Sequence, residues 1–293
     1  MTSSGTCVLR TRGLGQRYGE AWALRDCSIV VEPGSVVALT GAPGAGKSTL
    51  LGLLAGLESV SEGSAEVLGE PVRPGGPHPA VSYLSQVRPL IGDFTVAETL
   101  RLGAALNPRR WDDARAADLT GPLPRRRRAS ELSAGQRAVL ALALVLGTRP
   151  ELLLLDEPLA GLDPLTRRRA LAAVTAHVAE TGATAVLASH EIDDLQNACD
   201  RMVFLERGHV LLDADIDALL TEHRVLLGPA GAVSWSADHD VVVERRLHGR
   251  SQTVLVRGVA PGAAPGWQES PPDLLELVTT YLRTTDDRRE GPR

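Results

Sequence analysis

Apolar residues in this chain fall into short unbroken runs separated by stretches of helical period. Val36-Val37-Ala38-Leu39, Leu152 to Leu155 and Ala183 to Ala188 are such runs, and each predicts a strand buried on both faces. Leu50, Leu51, Leu53 and Leu54 predict a helix running from Lys47 to near Gly56. Further helices are expected over Ser133–Leu146, Pro164–Glu180 and Glu191–Ala198. Buried strands alternating with helices predict a parallel sheet covered on both faces. The block from about 90 to 150 interrupts that alternation and is mostly helical, with one amphipathic helix expected from Thr95 to about Ala117. It reads as an α-helical subdomain inserted into an α/β core.

The N-terminal segment, with Val8, Leu9, Leu14 and then Ser28 to Val31, has strand character before the turn signal Glu32-Pro33-Gly34. Residues 60 to 85 predict short strands and turns. Met202–Leu205 and His209–Leu212 predict a hairpin closed by Arg207-Gly208. After about residue 220 the texture changes. Proline- and glycine-rich loops flank two expected strands, Val241–Arg246 and Thr253–Val256, and Pro272–Leu282 predicts a final helix before a charged, frayed tail. Two regions are therefore expected: residues 1–220, and a small α+β accessory segment over 221–293. Val241, Val243, Val254 and Val256 would share one buried face, with Leu274, Leu277 and Val278 laid against it.

Composition narrows the partners. Hydrophobic residues make up 43% of the 293 residues, ample for a globular core, but aromatics only 3%, so Leu, Val and Ala must fill it. The net charge of −5 argues against a nucleic-acid partner, which would require a basic stripe. The one dense basic run, Arg125 to Arg128, reads as a solvated loop. Cys7, Cys27 and Cys199 are scattered, as reduced thiols are. No apolar run approaches the roughly 20 residues of a membrane helix, and the first residues have no apolar core of a signal peptide.

Two motifs carry chemistry. Gly41-Ala42-Pro43-Gly44-Ala45-Gly46-Lys47-Ser48, with Thr49 behind it, fits G-x-x-x-x-G-K-S/T between a strand and a helix. Glycines let the backbone turn sharply and offer its N–H groups to phosphate oxygens, and the helix N-terminus adds partial positive charge. Lys47 would reach the β- and γ-phosphates and the Ser48 hydroxyl a Mg²⁺ ion. Further on, Leu152 to Leu155 ends in Asp156-Glu157-Pro158. Asp156 suits Mg²⁺, and Glu157 is placed to take a proton from an attacking water.

Leu132-Ser133-Ala134-Gly135-Gln136 then carries a family resemblance: the sequence resembles the ATP-hydrolysing subunits of ABC transporters, whose signature is LSGGQ. Ser133 is also an N-cap for the helix that follows. The resemblance implies that Ser133, Gly135 and Gln136 contact the γ-phosphate held by a second subunit. Ala134 departs from the pattern by one methyl group. Tyr18 resembles the aromatic that stacks on adenine, Gln86 the glutamine that senses Mg²⁺ and faces the permease, and Asp163 the residue that touches the partner subunit. His190 matches the histidine that holds the γ-phosphate, the water and Glu157. The implied fold is a P-loop (RecA-like) core with an antiparallel β-subdomain and the inserted helices.

The expectation is thus an ATP- and Mg²⁺-dependent ATPase, cytoplasmic and peripheral on the inner face of the cell membrane. It would pair with a second nucleotide-binding subunit and dock on an integral membrane permease. Soluble relatives that act on ribosomes carry two motif sets, and those that act on DNA need long insertions between Ser48 and Ser133; neither feature is present here. The segment Pro272–Val278 resembles a helix of ABC-2-type exporters, which leans the expectation towards export.

Overall fold

The computed structural model describes residues 7–192, 195–196, 198–231, 241–258 and 267–290. The chain divides into two compact units. One holds the residues up to Glu191 with Ala198–Asp213, the other Ile192–Asn197 with Ala214 onward.

The first unit opens with β1 (Leu9–Tyr18), β2 (Ala21–Cys27), β3 (Val30–Val31), β4 (Val36–Thr40), α1 (Lys47–Leu54), β5 (Glu62–Val67), β6 (Glu70–Pro71) and β7 (Val81–Leu84). Helices α2 (Val96–Leu106), α3 (Asp113–Thr120) and α4 (Ala134–Gly147) follow. Then come β8 (Leu152–Asp156), α5 (Pro164–Thr181), β9 (Thr184–Ser189), β10 (Arg201–Glu206) and β11 (His209–Asp215).

Two sheets result. An antiparallel sheet runs β2-β1-β5-β6, with β3 also on β1. The central sheet runs β11-β10-β4-β9-β8-β7, and β10 through β7 pair in parallel. Strands β4, β8 and β9 are buried along their whole length, as strands covered on both faces must be. Leu50, Leu51, Leu53 and Leu54 of α1 pack with Val37, Leu39, Leu152, Leu154 and Val186 in one apolar cluster. That cluster seats α1 on the sheet and fixes where its first turn points.

The helix expected over Thr95–Ala117 is two helices, α2 and α3. The amphipathic pattern lies on either side of 107–112, where Pro108 cannot donate a backbone hydrogen bond and its ring clashes with the preceding turn. The chain leaves the helix at Asn107 and restarts at Asp112, whose carboxylate caps Arg115 N at 3.0 Å. Of the helix expected over 191–198, the described residues form turns, with Leu195 N bonding to Ile192 O. Asp193, Asp194 and Asn197 lie outside the described residues.

The second unit comprises α6 (Ile216–Glu222), β12 (His223–Pro229), β13 (Val241–His248), β14 (Ser251–Arg257), β15 (Gln268–Ser270) and α7 (Leu274–Glu290). Its boundary lies at Asp213/Ala214 where 220/221 was expected, because α6 belongs to this unit. The sheet order is β13-β14-β12-β15, antiparallel throughout. Leu226, Val254, Val256 and Trp267 form its core, and Leu274, Leu277 and Val278 are buried on α7. Val243 is only half-buried, and the side chain of Val241 lies outside the described residues. Gly228 is required: a Cβ there would sit 2.2 Å from the Trp267 ring. Helix α7 continues to Glu290 through much of the segment expected to be a frayed tail.

Candidate active site

Four of the residue groups singled out for chemistry follow the carboxyl end of one strand each in the central sheet. Gly41 to Ser48 follow β4, His190 follows β9, Asp156 and Glu157 close β8, and Gln86 follows β7. These four strands are consecutive neighbours in parallel, with Thr40 opposite Ser189, Asp156 opposite Ala188 and Leu84 opposite Leu155. Parallel pairing therefore gathers segments far apart in sequence along one sheet edge, where open α/β sheets bind ligands.

The loop after β4 is shaped by glycine. Gly41, Gly44 and Gly46 have φ of +147°, +82° and +106°, which side-chain-bearing residues adopt only under strain. A Cβ on Gly46 would lie 2.6 Å from the Ala23 carbonyl oxygen. Gly46→Ala is accordingly expected to lower the unfolding free energy by about 1–3 kcal/mol, measured by urea denaturation; an unchanged midpoint would contradict this account of the loop. Gly46 precedes α1 in a left-handed conformation and no side chain caps the helix, so its first turn is left open to an anion.

Lys47 is folded under this loop. It is 7% exposed, and its Nζ donates to Gly41 O at 2.7 Å and Ala42 O at 3.2 Å. Burial draws its pKa below the ordinary lysine value, and the charges of Glu157 and Asp156 offset part of that shift. Tyr18 ends β1, half exposed, with its hydroxyl bonded to Glu58 and close to Thr49. Its ring is therefore available beside the start of α1.

Asp156 is 2% exposed at the tip of β8. Burial raises its carboxyl pKa; hydrogen bonds from the Ser48 hydroxyl and the Gln86 backbone, with the Lys47 charge, pull it back down. Nearby Tyr83 has its phenol pushed up to about 12, by burial and by the charges of Asp156 and Glu58. One Asp156 oxygen, Oδ1, is buried without a hydrogen-bond partner. An unpaired buried carboxylate oxygen is costly, and a hard cation shared with the Ser48 hydroxyl would satisfy it. The donor set thus fits Mg²⁺.

Glu157 is 8% exposed and has φ of +49°, an uncommon conformation for a residue other than glycine. Its N–H donates to Ala188 O at 3.0 Å and its Oε1 lies 2.8 Å from His190 Nδ1. With the carboxylate ionised, the imidazole nitrogen is the donor. Its carbonyl accepts a 2.6 Å bond from Arg88 Nη2.

Ser133 and Asp163 stand apart from this edge. Ser133 caps α4 in a capping box: its Oγ accepts from Gln136 N at 3.1 Å, and Gln136 Oε1 accepts from Ser133 N at 3.0 Å. Asp163 caps α5 through Leu165 N and Thr166 N, both at 3.1 Å. A Cβ on Gly135 would come within 3.0 Å of Gly161 O, so the start of α4 lies against the turn before α5. Ser133 to Gln136, Gly161, Asp163 and Arg169 line an open cavity of about 1050 Å³. Arg88, Glu58 and Tyr83 were not singled out from the sequence.

Known proteins resemble this chain in sequence and in fold. Residues 24–160 match the ABC transporter family. The aliphatic sulfonates import ATP-binding protein SsuB of Ralstonia nicotianae is 37% identical over 255 residues, covering 82% of this chain and 87% of that protein. SsuB 1 of Burkholderia lata is 39% identical over 239 residues, covering 81% and 71%. Among solved structures, an ATP-binding subunit of an ABC transporter superposes with a TM-score of 0.64 at 25% identity, covering 73% of this chain and 92% of that one. The cassette MJ0796, solved as a post-hydrolysis dimer bound to ADP and Pi, has a TM-score of 0.64 at 21% identity, covering 71% and 98%; it shares the fold.

Proposed function

We propose, on the premise that the chain belongs to the ABC transporter family of ATP-binding subunits, that it hydrolyses Mg²⁺-ATP at a site shared by two cassettes and drives transport through a separate membrane permease. The observation that carries this is the Glu157–His190 pair, 2.8 Å apart, set beside Lys47 and the unpaired oxygen of Asp156.

In this reading the backbone of Gly41 to Ser48 and the Lys47 ammonium hold the phosphates, and Tyr18 stacks on the base. Mg²⁺ held by Ser48, Asp156 and Gln86 would neutralise phosphate charge. Glu157 accepts the proton of the attacking water, and His190 keeps its carboxylate in place. The family resemblance assigns Ser133, Gly135 and Gln136 to the γ-phosphate of a partner cassette, with Asp163 at the same interface. Among the described residues no helix is long and apolar enough to cross a membrane. The names of the relatives support import. That outweighs the likeness of Pro272–Val278 to an exporter helix, and import is the direction we infer.

Chelating Mg²⁺ should stop hydrolysis by the purified chain, and adding it back should restore turnover; activity in excess chelator would contradict the metal assignment. The chain should be recovered with a membrane protein from detergent-solubilised membranes, whereas pelleting with ribosomes would favour a soluble role. A chain ending at Asp215, the end of β11, should keep its ATP affinity, because every proposed nucleotide ligand precedes it. Loss of binding in a folded truncation would put the second unit in the active site.

A further inference from the structure

Arg88 lies two residues beyond Gln86, in the loop after β7, and its guanidinium turns inward. Gln86, Val87 and Pro89 around it are exposed, Val87 at 87%, while Arg88 Nη2 reaches the carbonyl oxygen of Glu157 at 2.6 Å. Both ends of this contact are held in unusual conformations. Arg88 has φ of +49°, in a turn closed by Arg88 N to Ser85 O at 3.0 Å, and Glu157 also has φ of +49°. A residue other than glycine stays in that region only when its surroundings over-determine it.

The bonds that determine Glu157 can be named. Its N–H is tied to Ala188 O on β9 and its carboxylate to His190. Its carbonyl accepts Ala160 N at a long 3.3 Å and Arg88 at 2.6 Å. A charged donor at that length is the stronger of the two bonds to the carbonyl. Burial lowers the Arg88 pKa, while the Glu157 charge works to raise it, so the guanidinium is spent on Glu157 at some desolvation cost. The peptide that Arg88 grips carries the carboxylate on its own Cα, and rotation of that peptide would swing the carboxylate away from His190.

We infer that Arg88 is a positioning residue for hydrolysis, clamping the Glu157 carbonyl so that its carboxylate stays aimed, and that it ties the exposed loop 85–90 to that carboxylate. The inference rests on the reading of Glu157 as the general base. Arg88 touches neither phosphate nor metal in this scheme, so its loss should act on kcat and leave nucleotide affinity alone.

The test compares steady-state ATP hydrolysis and equilibrium ATP affinity for the wild type, Arg88→Met, Arg88→Lys and Glu157→Gln. Loss of one charge-assisted bond should lower kcat of Arg88→Met about tenfold or more, with KM and ATP affinity unchanged. Arg88→Lys keeps a charged donor and should recover part of the loss. If Glu157→Gln is inactive but Arg88→Met turns over like the wild type, the clamp is refuted and the general-base reading stands. If Glu157→Gln itself retains full turnover, the underlying reading fails. A drop in kcat and ATP affinity together in Arg88→Met, or no recovery in a folded Arg88→Lys, would make Arg88 an ordinary structural residue and overturn the inference.

Discussion

Glu157→Gln should bind ATP as the wild type does and hydrolyse it about 10²–10⁴-fold more slowly, the usual contribution of a general base. The amide keeps the shape of the side chain and can still bond to His190, so the fold of the β8 tip should survive. What is lost is the ability to take a proton from water. Lys47, Ser48 and Asp156 are untouched, so the nucleotide should remain held and two cassettes should stay closed around it. Gel filtration with ATP and Mg²⁺ should show a stable dimer that the wild type forms only transiently. Wild-type turnover in this variant would remove Glu157 from the mechanism, and loss of ATP binding would show that it supports the phosphate loop instead.

The second large effect is expected at Ser133. Ser133→Arg places a long cation where the proposed shared site would seat a partner's γ-phosphate, 85 residues beyond the phosphate loop in sequence and on a different helix from it. Binding of ATP to the single chain should be nearly normal, because Gly41 to Thr49 are intact. Hydrolysis should fall to background, since the site cannot close. Removal of the N-cap hydroxyl costs the helix only about 1 kcal/mol, too little to unfold α4, whose apolar face is buried along Ala138 to Ala143. Hydrolysis at the wild-type rate would show that one chain suffices.

Much of this site could be read before the fold was known, because each of its parts is a contiguous motif. A glycine loop before a helix, an apolar strand ending in two carboxylates and a Ser-x-x-Gln helix start each state their local geometry. What periodicity could not supply was contact between motifs. The Glu157–His190 and Glu157–Arg88 bonds depend on the order of β7, β8 and β9 in the sheet, and nothing in the composition near Arg88 marks it as facing inward. The break between α2 and α3 shows the opposite failing: Pro108 signalled it, but the amphipathic pattern on either side masked the stop. At α7, charge suggested fraying while the chain continues as helix to Glu290.

The shared site is the central claim, and mixing two inactive chains tests it most directly. A Lys47→Ala chain lacks a working phosphate loop but keeps Ser133, and a Ser133→Arg chain has the reverse defect. Each should be inactive alone. Combined in equal amounts, half of the dimers are heterodimers, and each of these rebuilds one intact site from Lys47 of one chain and Ser133 of the other. If sites act independently, ATP hydrolysis should return to about a quarter of the wild-type rate per chain. No recovery in a mixture shown to contain heterodimers would contradict the shared site.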